Sequence, residues 1–381
     1  MTLVPPLALI TDTTQAGALL VAAFAGSLLV AALLWRWFSV RMSRDRWIRP
    51  NYRGQPIVAV SGLLVVAIGA TVSVGVAVFA YRSTGWFAYY SVQIDESRWV
   101  DTIWEVLPDD GFRNPAMASA TGALAAALAL AVFGLLGYRD DVRGDDEAGG
   151  FAAHIADSWR QRRLTTGAQK ALGGGAAAIL CVQMALFGNV ASLWSSHGWS
   201  DGAAIVRSLQ DLLVGTHEGW SVVPLLRGAL IVALGANMLN LFDRMPGRAT
   251  KVALAWWLLA LVPASLFSSA WSPGHYETST GSGWFEWHSA ALWAAGAVGA
   301  SAGLLRSEMR EEHMQGDTGV NPLGAVLGMA TVVAYSAAVE WVVLAILAVL
   351  NLASERWSFS RIIDAVPPLR WLDRLGSPYR N

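Results

Sequence analysis

P-L-G-A-V-L-G-M-A-T-V-V-A-Y-S-A-A-V-E-W-V-V-L-A-I-L-A-V-L-N-L-A, Pro322 to Ala353, reads either as one overlong apolar helix carrying Glu340 or as two helices split near Tyr335–Ala338. The choice sets the number of membrane crossings and the side on which the last residues lie. Split in two, the stretch completes nine spans with the N-terminus outside and the C-terminus inside. That arrangement gathers 22 of the 27 basic residues on one side, from Arg36–Arg53, Arg139–Lys170, Arg244–Lys251, Arg306–Arg310 and Arg356–Arg380. Kept whole, it would send Arg356, Arg361, Arg370, Arg374 and Arg380 outward, against the bias of basic residues toward the inner side. The split reading is therefore adopted.

The remaining spans follow from apolar runs near 16–38, 57–80, 116–137, 168–190, 221–242, 252–270 and 288–305, with the divided stretch giving 322–335 and 338–353. The chain is 54% hydrophobic and 14% charged and contains 19 Trp, which places it in the polytopic membrane class. The expected fold is an all-α helical bundle of about nine transmembrane helices forming one membrane domain, with 354–381 as a cytoplasmic tail. The first run is long enough to span and lacks a small-residue cleavage site behind it, so it is read as a span and not a signal peptide. The single Cys, Cys181, excludes a disulfide framework or a thiolate metal site. In the outer loop Arg82–Pro115, Trp99, Ile103 and Leu107 recur at helical spacing, which predicts an interfacial amphipathic helix over Glu96–Leu107. The outer loop Ala191–Trp220 has no comparable pattern.

Chemistry must then come from the inner side, where the expected topology places Asp140, Asp141, Asp243 and Asp317. Carboxylates gathered at one face of a bundle can hold a divalent cation. In G-Y-R-D-D-V-R, Gly137 to Arg143, adjacent carboxylates repel and need a cation or a proton, although a solvated acidic helix end is the plainer account. In N-M-L-N-L-F-D, Asn237, Asn240 and Asp243 recur at three-residue intervals and trace roughly one face of an apolar helix. Amides in a span need partners, so helix-to-helix hydrogen bonding competes with a binding role. In M-Q-G-D-T-G, Met314 to Gly319, glycines flank Asp317 in a loop and free the backbone for a tight turn and close approach to a ligand, or for an ordinary acidic turn.

These three motifs, in this order, make the sequence resemble the polyprenyl-phosphate N-acetylhexosamine-1-phosphate transferase superfamily, the relatives of phospho-N-acetylmuramoyl-pentapeptide transferase. That family carries an Asp-Asp pair after the third span, N-x-x-N-x-x-D after the fifth and G-D-x-G after the seventh or eighth. Asn51–Leu64 and Arg163–Gly173 are similar to its segments leading into the second and fourth spans. The likeness runs from about Arg49 to Arg361.

The resemblance implies a magnesium-dependent enzyme, with manganese as an alternative ion, in a bacterial inner membrane. Such an enzyme moves a sugar 1-phosphate from a UDP-sugar to a polyprenyl phosphate and releases UMP, in cell-envelope glycan synthesis. It further implies that Asp317 is a metal ligand, and that Asp140 and Asp141 supply the acceptor-activating carboxylate and a metal-side partner. Asp243, counted with the catalytic acids, would line the nucleotide-sugar side together with Asn237 and Asn240. A phosphate attacking a diphosphate brings anions together, and nearby cations offset the repulsion. Lys170, Arg163 and Arg53 are candidates for that task. The partners implied are the bilayer, the polyprenyl phosphate and the nucleotide sugar, with room for a homodimer and no nucleic acid.

The chain departs from the family pattern where the sugar nucleotide would sit. The last inner segment, Ala365 to Gly376, has no His-rich stretch, and the usual D-G-x-D-G after the fifth span is replaced by D-R-M-P-G-R-A. Arg244 and Arg248 have forked donors suited to a diphosphate and are read as replacements for the absent histidines, with headgroup anchoring as the competing account. A second functional class also fits the departures: a catalytically silent relative acting as a membrane scaffold or lipid-phosphate-binding protein. A CDP-alcohol phosphatidyltransferase is disfavoured, because the acids that chemistry needs at short spacing do not follow D-R-M-P-G-R-A.

Overall fold

A computed structural model of the chain describes residues 13–42, 45–87, 92–95, 98–100, 115–143, 166–187, 206, 222–267 and 284–379. Every apolar run read as a span overlaps a helix, with 188–190 and 268–270 outside the described residues: α1 Thr13–Met42, α2 Gly62–Phe87, α3 Pro115–Arg143, α4 Thr166–Phe187 and α5 Val222–Phe242. Helix α6 runs through Arg248–Trp256, a π-helical turn at Trp257–Leu261 and Val262–Phe267, followed by α7 Trp284–Met309. The stretch Pro322–Ala353 is divided: α8 Gly316–Ala334 and α9 Ala337–Ser354 meet at Tyr335 and Ser336, whose backbones are extended. Two short helices, α10 Phe359–Ala365 and α11 Pro367–Arg374, close the described chain.

Six of these helices are long and apolar enough to cross a membrane, among them α1, α3, α5 and α9. The molecule is a multi-pass, all-α membrane protein. Helix α8 lies at its centre, with nearly every side chain from Thr318 to Val332 buried. It packs most heavily on α3 and α5 and also touches α2 and α7. Close backbone approach makes this possible: a Cβ on Gly319 would lie 2.7 Å from the Cα of Gly62, so α2 and α8 meet through glycines. Helix α9 is peripheral, with Val342, Ile346 and Val349 exposed as expected of a lipid-facing surface. It is fixed to α5 at both ends. Arg227 donates to Glu340 through Nε (2.8 Å) and Nη2 (3.1 Å), and Asn237 donates to Asn351 (2.6 Å). The Arg227–Glu340 pair is almost fully buried, and each charge is tolerable there because the other matches it.

Several expected boundaries move. Helix α2 begins at Gly62, because β1 Ile48–Pro50 pairs antiparallel with β2 Pro56–Val58 and removes the start of the run from the helix. Helix α3 continues past Gly137 to Arg143, so the Asp140–Asp141 pair is helical. Asp317, expected in a loop, lies in the first turn of α8, upstream of Pro322, which the helix accommodates. Trp99 lies in β4 Arg98–Val100, paired with β3 Val92–Asp95, and not in an interfacial helix. A local hairpin of β-favouring residues takes precedence there over helical spacing; residues 101–107 lie outside the described chain.

Candidate functional site

The end of α3, the end of α5, the turn leading into α6, the end of α7 and the start of α8 converge at one end of the bundle. Asp141 binds the start of α8 directly. Its Oδ1 accepts the N–H of Asp317 (3.1 Å), and its Oδ2 accepts the N–H (2.8 Å) and the hydroxyl (2.5 Å) of Thr318. Helix starts leave N–H groups without intrahelical partners and carry a partial positive charge, so a carboxylate on them is favourable. No side chain of α8 itself caps this end, and Asp141 takes that role from another helix. Two glycines make room. Gly316 has φ +66°, and a Cβ there would lie 2.7 Å from Asp141 Oδ2. A Cβ on Gly137, one turn before Asp141, would collide with the carbonyl oxygen of Asp317.

From the α5 side, Asn240 Nδ2 donates to Asp317 Oδ2 at 3.3 Å. Asp243 follows just after the helix, buried, with no hydrogen-bond partner for its Oδ1. Burial above all, and then the charges of Glu308, Asp317 and Asp141, hold its carboxyl well above the usual carboxylate range. Asp141, Asn240, Asp243 and Asp317 are thus brought together. Asp140 is half-buried at the end of α3 beside Asp141.

Asn237 is not in the cluster. Six residues of α-helix rotate about 240°, so Asn237 sits about 120° round the helix from Asp243, and its amide serves α9. Arg248 is also corrected. Its Nε and Nη2 donate to Asp373 Oδ1 (2.8 Å) and Oδ2 (2.9 Å), its Nη1 donates to Ser360, and both charged partners are buried. The parallel fork expected for a diphosphate is occupied by a carboxylate of the protein's own C-terminal segment. Arg53 faces Glu311 at 3.3 Å and stacks over Tyr379, while Arg244 is exposed at the turn after Asp243. Lys170 lies in the first turns of α4, and Arg163 lies outside the described residues.

A polar layer below the acids was not foreseen. Glu308, fully buried, accepts through Oε2 from Thr250 (3.0 Å) and Gln315 (3.3 Å), and its Oε1 has no partner. Gln315 Nε2 also donates to Thr250 (2.7 Å) and Ser301 (2.8 Å). Burial raises the Glu308 carboxyl. Next to it, His313 is held between Ser61 Oγ at Nδ1 (2.7 Å) and Ser307 Oγ at Nε2 (2.8 Å) and lies against the Trp35 ring; burial pushes its pKa down to about 3, so it is neutral. These bonds fix the loop that ends at Gln315 and leads into the first turn of α8, where Asp317 lies. One signal could have found Glu308: Ser301 and Glu308 are seven residues apart, two turns of an otherwise apolar helix. It is hidden among the charges Arg306 to Glu312, residue types that are mostly exposed.

No group of three or more His, Cys, Asp or Glu side chains able to hold a metal ion occurs among the described residues. An ion such as magnesium keeps several waters and takes one or two protein carboxylates, and the unpartnered Oδ1 of buried Asp243 near Asp317 suits that mode. Asp141, expected among the ligands, has both oxygens engaged by α8. Comparison with known protein families and with curated proteins gave no match to this chain.

Proposed function

We propose that the chain transfers a sugar 1-phosphate from a UDP-sugar to a polyprenyl phosphate at the inner membrane face. The observation that carries this reading is the meeting of Asp141, Asn240, Asp243 and Asp317, from three motifs far apart in sequence, at one end of a membrane bundle. An oxygen of the lipid phosphate would form a bond to the β-phosphorus of the donor, and the bond from that phosphorus to the bridging oxygen would break, releasing UMP. Asp317 and Asp243 would hold a divalent cation, which when bound offsets the charge of the diphosphate. Asn240 orients Asp317. Asp141 holds the start of α8 that carries Asp317, and Asp140, half-buried beside Asp141, would be the carboxylate that activates the acceptor. The exposed guanidinium of Arg244 is placed to meet donor phosphates. Incubation of the purified protein with polyprenyl phosphate, magnesium and a panel of UDP-sugars, with UMP as readout, tests the reading and names the donor.

One observation favours the second class, a lipid-phosphate-binding protein without turnover: the pairing of Arg248 with Asp373 removes a cation from the donor side. Retention of polyprenyl phosphate with no UMP from any donor would select that class.

A further inference from the structure

The segment after α9 is docked by one side only. The Phe359 ring stacks on Phe242 at 5.3 Å, Asp373 grips Arg248, and Lys251 Nζ donates to the carbonyl oxygens of Leu372, Asp373 and Leu375, closing the C-terminal end of α11. The other side is apolar and, among the described residues, exposed. At 100° per residue, Trp371, Leu372 and Leu369 sweep an arc of about 160° around α11, and Trp371 and Leu372 are 63% and 50% exposed. Asp373, facing the protein, borders this arc on one edge and the exposed Arg374 borders it on the other, with the exposed Arg370 on the opposite face between them. In α10, exposed Ile362 lies beside exposed Arg361 in the same way.

Two facts identify what covers this face. Only four residues separate the segment from Ser354, the end of a helix long and apolar enough to cross a membrane, so the chain enters it from the bilayer surface. It is also basic: Arg356, Arg361, Arg370 and Arg374 stand against Glu355 and Asp364, because Asp373 is neutralised by Arg248. A helix with an apolar arc edged by an arginine and Trp suits the headgroup layer, where the arc enters the acyl boundary and the guanidinium meets phosphates. A second copy of the chain would bring the same positive edge and be repelled.

We propose that α10 and α11 form a membrane-surface platform that binds anionic lipid headgroups through Arg361 and Arg374. The platform is independent of sugar-phosphate transfer. It is tested with the full-length chain in nanodiscs, using Cys181→Ala with Leu372→Cys carrying a spin label and comparing collisions with oxygen and with a water-soluble nickel complex. Discs of phosphatidylcholine alone are compared with discs containing about one-third phosphatidylglycerol. The expected result is a severalfold rise in the oxygen-to-nickel ratio in the anionic discs, abolished by the combined Arg361→Gln and Arg374→Gln changes and weakened by high salt. Trp341→Cys on the exposed face of α9 serves as the lipid-facing reference, and Ile362→Cys replaces Leu372→Cys if the latter does not fold. Nickel access in both lipids would overturn the proposal, as would exclusion of both reagents by a protein partner, or equal depth in both lipids.

Discussion

Asp141 accepts both the backbone N–H and the side-chain hydroxyl of Thr318, so the last turn of α3 caps the first turn of α8. A negative charge from one helix thereby completes the positive end of another, and Asp317 is fixed one residue away. Replacing Asp141 by Ala is expected to destabilise the protein by about 1–2 kcal/mol, the range for loss of a helix cap. Thermal unfolding in detergent measures it. Asp141→Asn should cost less, because the amide oxygen still accepts one of the bonds.

Gly137 lies where α3 crosses the backbone of Asp317. Gly137→Ala would force the two helices apart at a contact with no slack, costing about 1–3 kcal/mol. Gly175, on α4, has open space around the same position and provides the control. A Gly175→Ala protein should melt like wild type, and Gly137→Ala should melt lower.

Burial raises the carboxyls of Asp243 and Glu308 above their ordinary values of 3.8 and 4.5. The folded state therefore binds protons more tightly than the unfolded state. The sign follows: the stability these groups contribute is fully present below the ordinary values and is lost as pH rises through their raised folded values. Without divalent cation, the purified protein should become less stable as pH rises from about 4 toward neutrality. Asp243→Asn should flatten this dependence, as melting temperature against pH will show.

Much of this end of the bundle was legible in the sequence, and the reasons for the misses are physical. The split of Pro322–Ala353 follows from the distribution of arginines, which act over whole loops and survive small errors in span ends. Asp243 and Asp317 are legible because a lone acid at the end of an apolar run stands out. Their shared environment with Asp141 is a tertiary fact that spacing alone cannot show. Asn237 was misassigned because a three-residue repeat drifts about 60° per step on an α-helix, so its first and last members face different neighbours. Arg248 was misassigned because its partner, Asp373, lies 125 positions downstream in a short segment whose docking no local pattern announces. Glu308 and Gln315 escaped notice because charged and amide side chains in a polar stretch are normally solvated. Only the packing of Thr250 and Ser301 against them shows otherwise.

Arg248 and Asp373 form a buried, two-bond ion pair, and removing one partner leaves the other charge uncompensated. Asp373→Ala is expected to cost about 3–5 kcal/mol and to release α10 and α11 from the turn after Asp243. Limited proteolysis should then cut between Ser354 and Asp373 faster than in wild type.

Transfer of phosphorus is the most direct test of the central claim. The protein, in nanodiscs with polyprenyl phosphate and magnesium, is given its preferred UDP-sugar labelled at the β-phosphate. The label is expected to move to the lipid phase while UMP is released unlabelled. Asp243→Asn and Asp317→Asn are expected to lower that transfer by about 100-fold or more, as loss of a charge-stabilising group does, with folding retained. Label that stays in the aqueous phase with every donor, or transfer unchanged in both variants, would contradict the account.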